Sequence, residues 1–110
     1  MVNENARIAL YNGLPEAKID ELMAGLVPMT AAAAITPIEF SAGELMIPKT
    51  YVMTLPDGGL PLPAQERFVA GTLDMKVVKL ETDHSSFLVM PKRVADIIVQ
   101  AAEESEGLGR

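Results

Sequence analysis

The fold of this chain is decided by two stretches, residues 50–55, TYVMTL, and Met75–Glu81, MKVVKLE. Both are rich in β-branched, aromatic and aliphatic residues and are followed by polar turns, PDGG and TDHSS, which is typical of buried strands. Between them, Pro63 indicates the start of a short helix over residues 64–71. This order predicts an α/β fold with two parallel strands and a right-handed crossover.

Helices are predicted on either side of these strands. Apolar residues spaced three and four apart predict an amphipathic helix over residues 16–26, opened by Pro15 and stopped by Pro28. Pro91 opens a last helix with one apolar stripe, which is expected to fray from Glu103 onward. The flanking helices would cover the strands.

Two further expectations concern which side chains are buried. In the helix over residues 64–71, Phe68 and Val69 are expected to face the core and Gln65 to face solvent. Residues 28–48 contain several prolines and predict a loop-rich covering segment, with one helical turn at residues 31–34. Its apolar residues are expected to make contacts: Ile35, Ile38, Phe40, Leu45 and Met46.

The length of 110 residues allows a single domain. We divide it into a helical, loop-rich segment over residues 1–48, a βαβα unit over residues 49–106 and a tail over residues 107–110. A two-stranded parallel sheet leaves its strand edges open, whereas parallel sheets are normally covered. The unit therefore has the pattern of one part of a larger sheet.

Composition excludes several classes of function. The chain has 9 Lys and Arg against 15 Asp and Glu, a formal net charge of −6, so binding to nucleic acid or to an anionic membrane surface is not expected. Without cysteine, disulfides and thiolate sites are excluded, and a single histidine makes a poor zinc site. Residues 1–5 lack the pattern of a signal peptide, so a cytoplasmic protein is expected.

Asp57 and His84 are the candidate catalytic residues. Each follows a strand, and the carboxyl ends of parallel neighbours meet at one edge of a sheet. A carboxylate that accepts from one imidazole nitrogen leaves the other nitrogen as a general base. The alternatives are a solvated loop histidine, a turn-forming aspartate before Gly58, and pairing of His84 with Asp83 instead.

Two longer runs carry a resemblance to a known family. Residues 47–65, IPKTYVMTLPDGGLPLPAQ, resemble the penultimate strand and acid turn of the α/β-hydrolases, in the esterase branch that includes plant methylesterases and hydroxynitrile lyases. Residues 77–91, VVKLETDHSSFLVMP, resemble that branch's last strand, catalytic histidine and final helix. The resemblance covers residues 47–102, and residues 6–40 more loosely resemble the cap-to-core segment.

The resemblance implies a Ser-His-Asp hydrolase without a cofactor, acting on a small-molecule ester. Asp57 matches the triad acid and His84 the triad base. Leu60, Ser85 and Phe87 match positions near the substrate pocket, and Met53 is either a pocket or a core residue. Hydroxynitrile lyases have lysine directly after the histidine, so a serine there favours ester hydrolysis.

The chain departs from the family pattern in lacking a nucleophile. None of its serines stands in G-x-S-x-G, and no oxyanion loop of HGGG type is present. The resemblance therefore implies the C-terminal portion of an α/β-hydrolase fold, a fragment of a serine hydrolase that is inactive alone. One alternative is a non-catalytic small α/β domain that forms a homodimer or binds a partner through its open sheet edge. Another is a gene-model or pseudogene fragment that does not fold alone, which the DNA upstream of Met1 would reveal.

Overall fold

A computed structural model of the protein describes residues 3–108. Within that range the chain forms a mixed α/β structure of two strands and six α-helices, with one turn of 3-10 helix at Ala42–Glu44. The elements follow in the order α1 (Ala6–Tyr11), α2 (Glu16–Ala24), α3 (Ala31–Ile35), β1 (Lys49–Leu55), α4 (Leu62–Ala70), β2 (Met75–Glu81), α5 (Ser86–Val89) and α6 (Pro91–Leu108). None of the helices in this range is long and apolar enough to cross a membrane.

The two strands are parallel, as predicted. They pair without offset, from Lys49 opposite Met75 to Leu55 opposite Glu81. The predicted second strand is confirmed to the residue, and the first begins one residue early. The N–H of Thr82 donates to the Leu55 carbonyl at 2.9 Å, which continues the ladder past the strand ends. The turns after the strands therefore start side by side.

Two helices differ at their ends from the predicted bounds. Helix α2 ends at Ala24 instead of residue 26, because the N–H of Gly25 bonds back to carbonyls of the preceding turn. Helix α4 begins at Leu62, two residues earlier than predicted. Pro63 fits in its first turn, because a backbone N–H there would have no partner within the helix. Both shifts are set by local capping.

Helix α6 continues to Leu108, so the prediction that it frays from Glu103 is wrong. Lys76 Nζ on β2 lies 2.7 Å from Glu104 Oε1, and Gln100 Nε2 donates to the same oxygen at 3.2 Å. The bond from Lys76 ties the later turns of the helix to the sheet, and the bond from Gln100 lies within the helix. The first two residues of the predicted tail are helical, and residues 109–110 lie outside the described part of the chain.

The core of the described chain is small. Its buried apolar residues are Tyr11, Ile19, Met53, Leu80 and Ile97. Thr54 lies opposite Leu80 in the register, so Met53 and Leu80 point to opposite faces of the sheet. Each face therefore buries apolar surface, in keeping with a parallel sheet covered on two sides.

The apolar residues of the segment before β1 are exposed. The residues expected to make apolar contacts, Ile35, Ile38, Phe40, Leu45 and Met46, are not buried, with exposed fractions from 38% at Leu45 to 96% at Met46. The prediction was wrong because no described part of the chain buries them. The segment does contain α3, which ends before Thr36-Pro37 as expected.

Candidate active site

The structure brings Asp57 and His84 together. The Asp57 Oδ2 atom lies 3.0 Å from His84 Nδ1, and Oδ1 lies 3.2 Å from the same nitrogen. The carboxylate is almost completely buried, with 2% of the side chain exposed, whereas 43% of the imidazole side chain is exposed. The pair therefore has a buried acid and an accessible ring. The fold brings the two residues together from positions 27 apart in the sequence.

The Asp57 carboxylate is held by its own turn. Thr54 Oγ1 donates to Oδ2 at 2.7 Å, and the N–H groups of Gly59 and Leu60 donate to Oδ1 at 2.8 Å each. The turn after β1 thus curls around the carboxylate and presents two backbone donors. With His84, each oxygen has at least two partners, as a buried carboxylate requires.

The pKa of Asp57 lies below its ordinary value of 3.8. Burial alone would raise that pKa, because it disfavours the charged form. The hydrogen bonds from Thr54, Leu60, Gly59 and His84 favour the carboxylate and together outweigh burial. Asp57 is therefore ionised at neutral pH.

An ionised Asp57 fixes the tautomer of His84. A carboxylate only accepts hydrogen bonds, so the Nδ1 atom of His84 must carry the hydrogen between them. In the neutral ring, Nε2 then carries the lone pair, and among residues 3–108 it has no hydrogen-bond partner. The arrangement offers a proton acceptor on an accessible ring.

The lowered pKa of Asp57 predicts how stability depends on pH. The ionised carboxylate stabilises the fold above its unfolded pKa, and this contribution is lost as pH falls through the lower folded pKa. Asp57→Asn cannot titrate, so we expect the difference in unfolding free energy between wild type and variant to shrink between about pH 5 and pH 2. Urea denaturation followed by circular dichroism measures it. A difference that stays constant with pH would contradict the assignment.

Gln65 is a structural part of the site that sequence reasoning missed. Predicted to be solvated, it is 1% exposed, whereas Phe68, predicted to be inward, is 54% exposed. Its Oε1 accepts from the Thr54 N–H at 3.0 Å, and its Nε2 donates to the carbonyls of Thr54 at 2.9 Å and Leu60 at 3.0 Å. Its position four residues before Val69, on the inward stripe of α4, is the signal that reveals it.

The side-chain amide of Gln65 forms the two backbone hydrogen bonds that a neighbouring strand would make with Thr54. The Leu55 carbonyl faces β2, so the N–H and carbonyl of Thr54 face the opposite edge of β1, where they meet Gln65. Tyr51 OH lies 3.4 Å from Gln65 Oε1. Burial, and then the charge of Asp57, raise the pKa of Tyr51.

Asp83 does not pair with His84. It is fully buried, and its Oδ1 accepts from the Ser85 N–H at 2.8 Å while its Oδ2 accepts from the Gly13 N–H at 3.0 Å. Neighbouring residues of the turn thus point in different directions, and the rival pairing weighed from the sequence is wrong. Asp83 instead joins the histidine turn to the loop after α1.

The residues predicted to form a pocket differ in their surroundings, and none of them lines the groove beside Asp57. Leu60 serves Asp57 through its N–H, Ser85 is 5% exposed, and Phe87 is 60% exposed. Met53, with 4% exposed, is a core residue. A groove of about 730 Å³ does reach the carboxylate turn, and its lining residues are Leu55, Pro56, Asp57, Pro61, Leu62 and Glu81.

Two nearby threonines allow a matched prediction. Thr82 is 4% exposed, and its Oγ1 has no partner among residues 3–108, whereas the hydroxyl of Thr54 binds Asp57. A buried hydroxyl without a partner is destabilising, so Thr82→Val is expected to raise the unfolding free energy by about 1 kcal/mol. Thr54→Val is expected to lower it by roughly 2 kcal/mol, because it removes a donor to a charged group. Urea denaturation decides, and a loss of stability in Thr82→Val would contradict the prediction.

Within residues 3–108, no group of three or more His, Asp or Glu side chains is placed to hold a metal ion. Comparisons of the chain with models of protein families, with curated proteins and with solved structures gave no match. The geometry of the Asp57–His84 pair is therefore the feature from which a function can be inferred.

Proposed function

We propose that Asp57 and His84 are the acid and base of a serine-type α/β-hydrolase that cleaves carboxylic esters by acyl transfer. One observation carries the proposal: a buried, ionised carboxylate fixes the tautomer of an accessible histidine at 3.0 Å. This is the relation between acid and base in serine hydrolases. The nucleophilic serine is assigned to residues outside these 110, because no G-x-S-x-G is present.

The proposed mechanism follows from the contacts of Asp57 and His84. The Nε2 atom of His84 takes the proton of the serine hydroxyl as its oxygen attacks the ester carbonyl, and later returns that proton to the leaving alcohol. Asp57 stays ionised and stabilises the imidazolium through Nδ1. His84 then takes a proton from a water molecule that attacks the acyl-enzyme, and the carboxylic acid product leaves as that proton returns to the serine oxygen. No step requires a cofactor.

The test uses the DNA upstream of the Met1 codon. We expect an open frame continuous with this chain that encodes G-x-S-x-G. The longer protein should hydrolyse p-nitrophenyl acetate and react at that serine with a fluorophosphonate. Asp57→Asn should lower its kcat roughly 10⁴-fold, because the histidine then adopts the wrong tautomer.

The 110-residue chain alone is the control, and we expect no turnover above the uncatalysed rate. Turnover by this chain that disappears in His84→Ala would place the nucleophile within it and overturn the assignment of the serine. A longer frame that is inactive towards esters, or whose activity survives His84→Ala, would overturn the proposed function.

A second candidate is a non-catalytic domain that self-associates. It is favoured by the exposed apolar residues of the segment before β1 and by the Cα radius of gyration. That radius is 16.0 Å, compared with roughly 13 Å for a compact chain of this length. Such a surface is typical of an interface that a second copy or a partner covers.

Light scattering after size exclusion tests the second candidate. We expect a dimer whose fraction increases with concentration and decreases in Met46→Lys, which places a charge at a 96% exposed position. Lys92→Met is the matched control on α6, away from that segment. A stable monomer over the whole concentration range would rule this candidate out.

A further inference from the structure

The loop between α1 and α2 contacts both turns of the candidate site. Asn12 Nδ2 donates to the carbonyl of Pro56 at 3.0 Å, and the N–H of the next residue, Gly13, donates to Asp83 Oδ2 at 3.0 Å. Pro56 directly precedes Asp57, and Asp83 directly precedes His84. Two consecutive residues thus bind the chain immediately before each member of the pair.

Asp83 turns one of these contacts into a bridge. Its second oxygen accepts from the Ser85 N–H at 2.8 Å, so one carboxylate spans His84 and also reaches Gly13. The side chain is fully buried. The carboxyl group is tolerated in that position because backbone N–H groups satisfy both of its oxygens.

Close packing of α1 against Gly58 and Gly59 fixes the position of the loop relative to the turn that follows β1. A methyl group added at Gly59 would lie 2.6 Å from the Ala9 carbonyl oxygen, and one added at Gly58 would overlap the carbonyl of Ile8. Helix α1 therefore lies directly on the glycines that follow Asp57. At Gly13 an added methyl would lie 3.2 Å from Asp83 Cβ, so that approach is tight as well.

We propose that Asn12, Gly13 and Asp83 form a clamp that sets the distance and angle between Asp57 and His84. All three are positioning residues, since none contacts the reacting atoms. The imidazole–carboxylate bond weakens steeply with distance and angle, so a small shift between the two turns is enough to break it. The importance of the clamp for catalysis depends on the proposed function, whereas its effect on the pair does not.

The experiment follows the imidazole of the 110-residue chain by NMR. Because the chain has one histidine, every imidazole signal belongs to His84. In wild type we expect a low-field Nδ1–H proton resonance and a single tautomer in long-range ¹H–¹⁵N spectra. Asp57→Asn serves as the positive control, and it should abolish the low-field resonance and replace the wild-type tautomer.

Asn12→Ala and Asp83→Asn test the clamp. Each is expected to lose the low-field resonance and to show mixed tautomers. Asn12 is exposed, so its replacement removes a bond without opening the core and keeps the test valid if Asp83→Asn does not fold. Asn3→Ala and Asp96→Asn are matched controls, because within residues 3–108 their side chains bind only Asn5 and Lys92, and both should keep the wild-type spectrum.

Two outcomes would overturn the clamp. One is that Asn12→Ala and any folded Asp83→Asn have lower stability but wild-type His84 signals, which identifies a purely structural contact. The other is that the control variants change the signals equally. A failed ester assay with altered His84 signals in the clamp variants would count against the proposed function alone, so the two failures are distinguishable.

Discussion

Gln65→Ala should lower the unfolding free energy by about 3–5 kcal/mol. The change removes three well-formed hydrogen bonds of a side chain that is 1% exposed. It leaves the N–H and carbonyl of Thr54 and the carbonyl of Leu60 without partners at the edge of the sheet. Each unsatisfied buried group costs about 1–3 kcal/mol, and partial entry of water reduces the total. Urea denaturation followed by circular dichroism measures the loss.

Gln100→Ala is the matched control for this prediction. Gln100 is exposed on α6, and in the described part of the chain its side chain binds only Glu104, so its replacement should change stability by less than about 0.5 kcal/mol. Equal losses in the two variants would show that the Gln65 bonds carry no special weight.

Gln65→Glu separates the bonds of the side chain from its volume. The new carboxylate has almost the same shape but cannot donate to the carbonyls of Thr54 and Leu60 while ionised. We expect a strong loss of stability at neutral pH that becomes smaller, relative to wild type, as pH falls. The protonated carboxyl again offers one donor, and its folded pKa is raised by the surroundings. If the loss of stability in Gln65→Glu did not depend on pH, the hydrogen bonds donated by Gln65 would not explain it.

The burial of Gln65 marks the limit of what the sequence predicts. Periodicity locates α4 and shows that Val69 faces the sheet, but a residue-type scale places glutamine in solvent. The open edge of β1 overrides that preference, because Thr54 needs a donor and an acceptor there. Sequence patterns describe side chains, whereas this requirement arises from backbone groups that only the register reveals.

The pairing of Asp57 with His84 was predictable because, unlike the burial of Gln65, it depends on signals that the local sequence carries. It depends on two strands ending at the same edge of a parallel sheet, and strand order and turn position are local signals. The clamp was not predictable, because Gly13 and Asp83 are 70 positions apart and no local pattern joins them. The exposed apolar segment was misjudged because apolar residue type predicts burial without identifying what covers the residues.

Gly58→Ala is expected to lower the unfolding free energy by about 3 kcal/mol or more. The added methyl would overlap the carbonyl oxygen of Ile8, and backbone atoms of a helix cannot move aside as a flexible side chain does. No described glycine has a positive φ, so close approach of α1, and not an unusual backbone conformation, explains why glycine is needed here. Thermal and urea denaturation give the loss.

Gly107→Ala is the control for the chemical change, because an added methyl there meets no atom within 4 Å. In a helix, alanine is preferred to glycine by up to about 1 kcal/mol, so this variant should be unchanged or more stable. Gly58→Ala should also lose the low-field His84 resonance, since lifting α1 from the acid turn displaces Asn12 and Gly13. If Gly58→Ala were destabilised while His84 kept its wild-type tautomer, α1 would support the fold without setting the pair, and this result would count against the clamp.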